Sequence, residues 1–247
     1  MSATPAHPLS VVIDALHERA VAGLPVNFWF RDDDAVEPCE SLDRLLELTD
    51  AFSVPLTLAV IPALSGHALA QQLASRRHVS VAVHGWSHTN YASADEKKQE
   101  LGNHRALNDV LDELQRGLHR LRNLHGLRFV PLLVPPWNRI SAEILDHLSE
   151  LGYVAVSTFG DESPTPVVSI NTQVDIIDWR GSRGGRPVAN LASEIVALIQ
   201  SGRSSIGILS HQLVHDEQAW QFLEQLFTVL SGHPGARWLA VSDLLDP

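Results

Sequence analysis

The sequence holds a single cysteine, Cys39, among 247 residues. One thiol excludes an intramolecular disulfide framework and a cysteine-rich zinc site. In "VEPCESLDRLL" it stands at a helix start and reads as an inert thiol. Basic residues are also scarce: 18 Lys and Arg face 29 Asp and Glu, a formal net charge of -11. That balance argues against non-specific binding to nucleic acid or to an anionic membrane. No apolar run reaches the roughly 18 residues that a spanning helix needs. The opening "MSATPAHPLSVVIDALHERA" lacks a basic n-region and a continuous apolar h-region, so the expectation is a cytoplasmic protein without a secretion signal.

What is present is a globular composition, with hydrophobic residues at 45% and charged residues at 19%. Short apolar, β-branched runs alternate with helix-like segments. Strands are predicted at "VNFWF" from Val26, "PLTLAVI" from Pro55, "VSVAV" from Val79 and "FVPLLV" from Phe129. Further strands follow at "YVAVSTF" from Tyr153, "VDIIDW" from Val174, "SIGILS" from Ser205 and "RWLAVS" from Arg237. Helical spacing begins at Ser41, Ser141, Asn190 and Asp216, and a long helix is predicted from about Ser93 to Leu124. Alternating β and α segments imply a parallel sheet with helices outside it. Seven or eight such repeats favour a closed α/β barrel. No composition shift or linker divides the chain, so one domain over 1–247 is expected; "GDESPTPVVS" and "RGSRGGRP" read as loops within it.

Five polar clusters each follow a strand: "RDDDA", "HGWSH", "PPWN", "DW" and "SHQLVH". In a parallel barrel all strand C-termini open on one face, where such folds build active sites. His84 and His88, four residues apart, therefore sit at the mouth and can address one point. Three adjacent carboxylates, Asp32, Asp33 and Asp34, repel one another and need a reason. One carboxylate and two imidazoles make three ligands for a divalent metal, with room for water. A second carboxylate beside them can take the water's proton. Adjacent residues of an extended segment point opposite ways, so one Asp can bind metal while its neighbour faces substrate. His211 is a candidate general acid, because imidazole titrates near neutrality; His215 competes with it. Asp178 can hydrogen-bond an imidazolium. Trp86, Trp137 and Trp179 are candidate apolar walls for a substrate, with Asn138 beside them.

In this order, Asp-Asp, H-x-x-x-H, P-P-aromatic, D-W and a strand-terminal L-x-H, the chain resembles the polysaccharide deacetylases, the NodB-homology enzymes of carbohydrate esterase family 4. The resemblance runs from about Phe28 to His211. It implies an irregular (β/α)7 barrel that removes N- or O-acetyl groups from a carbohydrate with a divalent metal, usually zinc. The family's F-D-D-G aligns best with Asp33-Asp34-Ala35, although Asp32-Asp33 is open. The resemblance then implies Asp33 as base and Asp34, His84 and His88 as metal ligands. It also implies the Trp137 N–H as oxyanion donor, and His211 as acid tuned by Asp178. Gly85 stands where Ser or Thr is usual, and Trp137 where Tyr is usual. Val134 stands where the third motif usually carries an Arg that steadies the base, and Arg31, Arg139 and Arg180 are the candidate replacements. The alternatives are a hydrolase of non-acetyl C–N bonds on the same fold and a catalytically inactive carbohydrate-binding protein.

Overall fold

The computed structural model describes residues 7–245. Residues 1–6, which carry part of the signal reading, and 246–247 lie outside the described residues. Among those described, nine strands form one parallel sheet: β1 (Val26–Ala35), β2 (Leu56–Val60), β3 (Val79–His84), β4 (Phe129–Val134), β5 (Ala155–Val156), β6 (Val168–Ser169), β7 (Val174–Asp175), β8 (Ser205–Ser210) and β9 (Ala236–Trp238). Their order is β6-β5-β4-β3-β2-β1-β8-β7, with β9 joined to the start of β1. Around them lie α1 (Ser10–Val21), α2 (Glu40–Phe52), α3 (His67–Leu73), α4 (Leu107–His125), α5 (Ala142–Asp146), α6 (Val188–Gln200), α7 (Glu217–Ser231) and α8 (Val241–Leu245).

The strand alternation of β1 builds two layers. Phe28 and Phe30 join the large apolar cluster shared with the helices. Trp29 points the other way, into a smaller cluster with Ala59, Ala82, Leu132, Val134 and Ala155. The narrow interior is thus filled by one indole set among small neighbours, and it is a packed core with no pore. Truncating a ring as buried as Phe28 or Phe30 typically costs about 3–5 kcal/mol.

Several sequence expectations are corrected, among them the strand from Arg237, which ends at Trp238 and gives way to α8 at Val241. The sheet curls without closing its ladder: β6 and β7 are its two ends. Residues 170–173 cross that gap, with Gln173 donating its N–H to Gly207 O and accepting the Gly207 N–H through Oε1, each at 2.8 Å. Gly207 is required there, since a Cβ would lie 2.4 Å from Trp29 Nε1 and 2.8 Å from Asn171 O. The long helix from Ser93 is also shorter, beginning at Leu107. Side chains divert the stretch before it: Asn90 Oδ1 accepts the Gln99 N–H, and Glu100 and Leu101 are buried. Local side-chain acceptors of this kind compete with a helical ladder. α1, α3 and the two-residue β6, inside the stretch read as a loop, lack strong sequence signals.

Candidate active site

All five polar clusters lie at the C-terminal ends of β1, β3, β4, β7 and β8. The ends of β1 and β3 bring Asp34, His84 and His88 together, with one donor atom from each within 4.8 Å of the others. Asp34 Oδ1 lies 3.1 Å from His84 Nε2 and 3.3 Å from His88 Nε2. Two metal–ligand bonds of about 2.1 Å at a tetrahedral angle would hold their ligand atoms about 3.4 Å apart, so the spacing fits a divalent cation. The tautomer fits too. His84 Nδ1 is 2.9 Å from the Val134 carbonyl, which places the proton there and leaves Nε2 as the lone-pair donor. Burial alone would push the Asp34 carboxyl up. The His84 hydrogen bond and the charges of His84, His211 and His88 overcome it and hold Asp34 well below the usual carboxylate range. His84 is raised: burial opposes, but the Asp34 hydrogen bond and the Asp33 and Asp34 charges prevail. His88 is lowered by burial and by the charge of His84.

Asp33 faces the opposite way from Asp32, as the strand alternation requires. It is buried and held by two contacts from one guanidinium: Arg31 Nε lies 2.9 Å from Oδ1, and Nη2 donates to Oδ2 at 3.1 Å. Arg31 is fully buried. Its Nη2 also donates to Asn138 Oδ1 at 2.8 Å, and its Nη1 to the Ser157 hydroxyl and to the Ser157 carbonyl at 3.2 Å. A planar fork with both terminal nitrogens hydrogen-bonded and Nε in ion-pair contact fixes the carboxylate as an ammonium could not. Of the three candidate replacements for the missing arginine, geometry selects Arg31. Arg139 donates to the Lys98 carbonyl at the surface, and Arg180 is exposed.

Across from Asp33 Oδ2, at 3.9 Å, is His211 Nε2. The Trp179 ring packs edge-on against His211, with centroids 4.7 Å apart. Here the structure corrects the assignment of Asp178. That carboxylate accepts the N–H groups of Gly181 and Ser182 at 3.1 and 3.3 Å, so it organises its own turn. Gly181 must be glycine for this, because a Cβ would lie 2.3 Å from Asp178 Oδ2. The carboxylate near His211 is Asp175, on β7. Its Oδ2 accepts Trp179 Nε1–H at 2.8 Å and its Oδ1 the Ile177 N–H at 2.9 Å. Burial raises its carboxyl on balance, against the opposing charge of His211. In "VDIIDW" the sequence pattern points to Asp178 alone, and Asp175, at the end of β7, is missed. His215, the competing acid, packs against Trp220 at 4.4 Å. Burial, then the charge of His211, lowers it to about 3, which disfavours the imidazolium form that a general acid needs.

The comparisons with known proteins bear on this arrangement. The family model described as "Polysaccharide deacetylase" matches residues 31–156, half of the chain. The chain belongs to the polysaccharide deacetylase family. A search of curated proteins finds no match. Solved structures share the fold at low identity. A Mycobacterium smegmatis protein, provisionally named a polysaccharide deacetylase, is 17% identical with a TM-score of 0.66, covering 90% of this chain and 89% of its own. The peptidoglycan deacetylase PdaC from Bacillus subtilis, as a D285S mutant, is 15% identical with a TM-score of 0.58, covering 90% and 91%. A family 4 acetyl xylan esterase from Clostridium thermocellum, solved with cobalt, is 15% identical with a TM-score of 0.57, covering 89% and 90%. The curled sheet is thus the irregular NodB-type barrel.

As a polysaccharide deacetylase the chain departs from the motif pattern in ways its packing explains. Gly85 has φ 57°, and a Cβ there would sit 2.1 Å from Glu100 Oε2 and 2.6 Å from Pro136 Cγ. Glu100, buried, accepts the N–H groups of Trp86 and Ser87 at 3.2 and 2.8 Å and the Ser87 hydroxyl at 3.0 Å. It therefore holds the loop that carries His88. It lies in the stretch read as a helix, and nothing in its local pattern points to the site. Trp86, expected to wall the substrate, has its ring under the Arg116 guanidinium of α4 at 4.6 Å and serves packing. Asn138, expected to face substrate, has its Oδ1 committed to Arg31. Trp137 has φ 55° and packs at a tilt against His88, with centroids 4.3 Å apart. Asp34, His88, Trp137 and Asn138 all hold positive φ. Such backbone strain collects at functional sites, where the surroundings over-determine it.

Proposed function

We propose that this chain is a divalent-metal-dependent deacetylase acting on an N-acetylated sugar or a related amide. The observation that carries the reading is the juxtaposition at one mouth of a three-donor cluster, Asp34, His84 and His88, with a second carboxylate. That carboxylate, Asp33, is locked by Arg31 and faces His211. Asp34, His84 and His88 would hold the ion, most simply zinc. When bound, it would polarise the acetyl carbonyl and lower the pKa of water. Asp33, aimed by Arg31, takes the proton of the attacking water. The Trp137 N–H donates to the carbonyl oxygen as negative charge develops on it. His211 donates a proton to the departing nitrogen as the C–N bond breaks, so the products are acetate and a free amine. Trp179, exposed beside His211, offers an apolar face to the sugar or to the acetyl methyl.

The test is acetate release from a panel of N-acetylated sugars, acetyl esters and ureide-type amides, before and after chelation and metal restoration. Metal-dependent acetate release from an N-acetyl sugar supports the reading. Cleavage confined to ureides, unaffected by chelation, replaces it with the non-acetyl C–N hydrolase.

A further inference from the structure

Asp32 is a fully buried carboxylate that neither the metal cluster nor the base requires. It lies on the face of β1 opposite Arg31 and Asp33, level with Ser210 of β8 in the sheet register. Its Oδ2 accepts the Ser210 hydroxyl and, at 2.9 Å, the backbone N–H of Gln212. With the Gln212 amide turned to match its neighbours, its nitrogen donates to Asp32 Oδ1 and, at 3.3 Å, to the Asp33 carbonyl. Ser210 and Gln212 are the two neighbours of His211. One carboxylate thus clamps the chain on both sides of that histidine.

The ring itself has little else to hold it. His211 Nδ1 has no hydrogen-bond partner among the described residues; the ring meets Asp33 Oδ2 at 3.9 Å through Nε2 and packs edge-on with Trp179. The place of the imidazole therefore depends on its backbone, which turns there from β8 into a 3-10 turn at Gln212–Val214. A carboxylate stands where the F-D-D-G motif has an apolar residue, and burying it among donors is costly unless each is paired.

We infer that Asp32 is a positioning residue for the proton donor: it fixes the His211 segment against β1 so that Nε2 faces Asp33 across the substrate. This rests on the reading of His211 as acid. A third role then falls to the Arg31–Asp34 run, beside aiming the base and binding metal.

The experiment is a double-mutant cycle of Asp32→Asn and His211→Ala in the metal-loaded full chain, measured on an N-acetyl amide and on an activated acetyl ester. Asn keeps the shape but turns an amide nitrogen toward donors. A displacement of about 1 Å can cost roughly 100-fold in rate. Asp32→Asn should therefore lower kcat on the amide by roughly 10- to 100-fold, with metal content and KM kept and a smaller effect on the ester. In the His211→Ala background the same change should cost less than about 3-fold, because coupled residues are not additive. Full multiplicativity, or equal loss on both substrates with metal depletion, overturns the inference. If Asp32→Asn does not fold, Ser210→Ala, which removes one arm of the clamp, must show the same coupling in weaker form, and its absence is equally decisive. If His211→Ala spares the amide, the acid reading falls and takes this one with it. If His211→Ala is amide-selective while the cycle is multiplicative, the inference about Asp32 alone falls.

Discussion

Arg31, Asp32, Asp33 and Asp34 are four consecutive residues: strand alternation puts Arg31 and Asp33 on the face opposite Asp32, and Asp34, at φ 74°, leaves the extended run. Asp34 meets two imidazoles, Asp33 a guanidinium, and Asp32 the neighbours of His211. Asp33→Asn should keep metal, since the Asp34 carboxylate is untouched, and lose about 10²–10⁴-fold in kcat as the base disappears; metal analysis beside steady-state kinetics checks both. Arg31→Met should leave a buried carboxylate unpaired and destabilise the fold by about 3–5 kcal/mol, read from denaturant unfolding near neutral pH; an unchanged midpoint would show that Asp33 does not depend on Arg31. The residue types were legible in "RDDDA" and "HGWSH", because both follow strands. Their partners were not. Arg31 was one of three candidates, and choosing it required the coordinates of Asn138 and Ser157, more than 100 positions away along the chain.

At the scale of elements, the strands that carry the site were read closely because β1, β3, β4 and β8 are apolar runs bounded by polar clusters. What failed was local structure dictated from outside. Residues 93–106 have helical spacing, yet Glu100 is drawn inward to hold the loop after β3. Asp178 matches a D-W pattern, yet the two-residue strand β7 places Asp175 toward His211 instead. The loop after β3 gives its own test. Gly85→Ala introduces a Cβ against Glu100 and Pro136 at a positive φ. It should weaken metal retention while barrel unfolding changes little, measured by metal content after dialysis and by a thermal melt. Full occupancy in the variant would mean that the loop tolerates the displacement and that Glu100 does not govern His88.

The molecule as a whole packs helices on a curled parallel sheet, and among the described residues no helix is long and apolar enough to cross a membrane. Besides His215, its core carries an acid-sensitive histidine. His125 closes α4 with both ring nitrogens unpartnered, and burial, then the Arg128 charge, lowers it from 6.5 to about 4. The helix C-terminus would favour a charged imidazole, but desolvation prevails. Unfolded chains bind the proton more readily, so this contribution to stability is complete above pH 6.5 and declines as pH falls toward 4. His125→Leu should flatten that part of the stability curve in denaturant titrations; an unchanged slope would place the acid sensitivity elsewhere. The central claim is that Asp34, His84 and His88 hold the one ion on which deacetylation depends. It is tested most directly by metal stoichiometry beside acetate release in the wild type and in His88→Ala. The account predicts one divalent ion per chain and metal-dependent acetate release in the wild type, and neither in the folded variant. A folded His88→Ala protein that keeps its ion, or a metal-free wild type that still releases acetate, would contradict it.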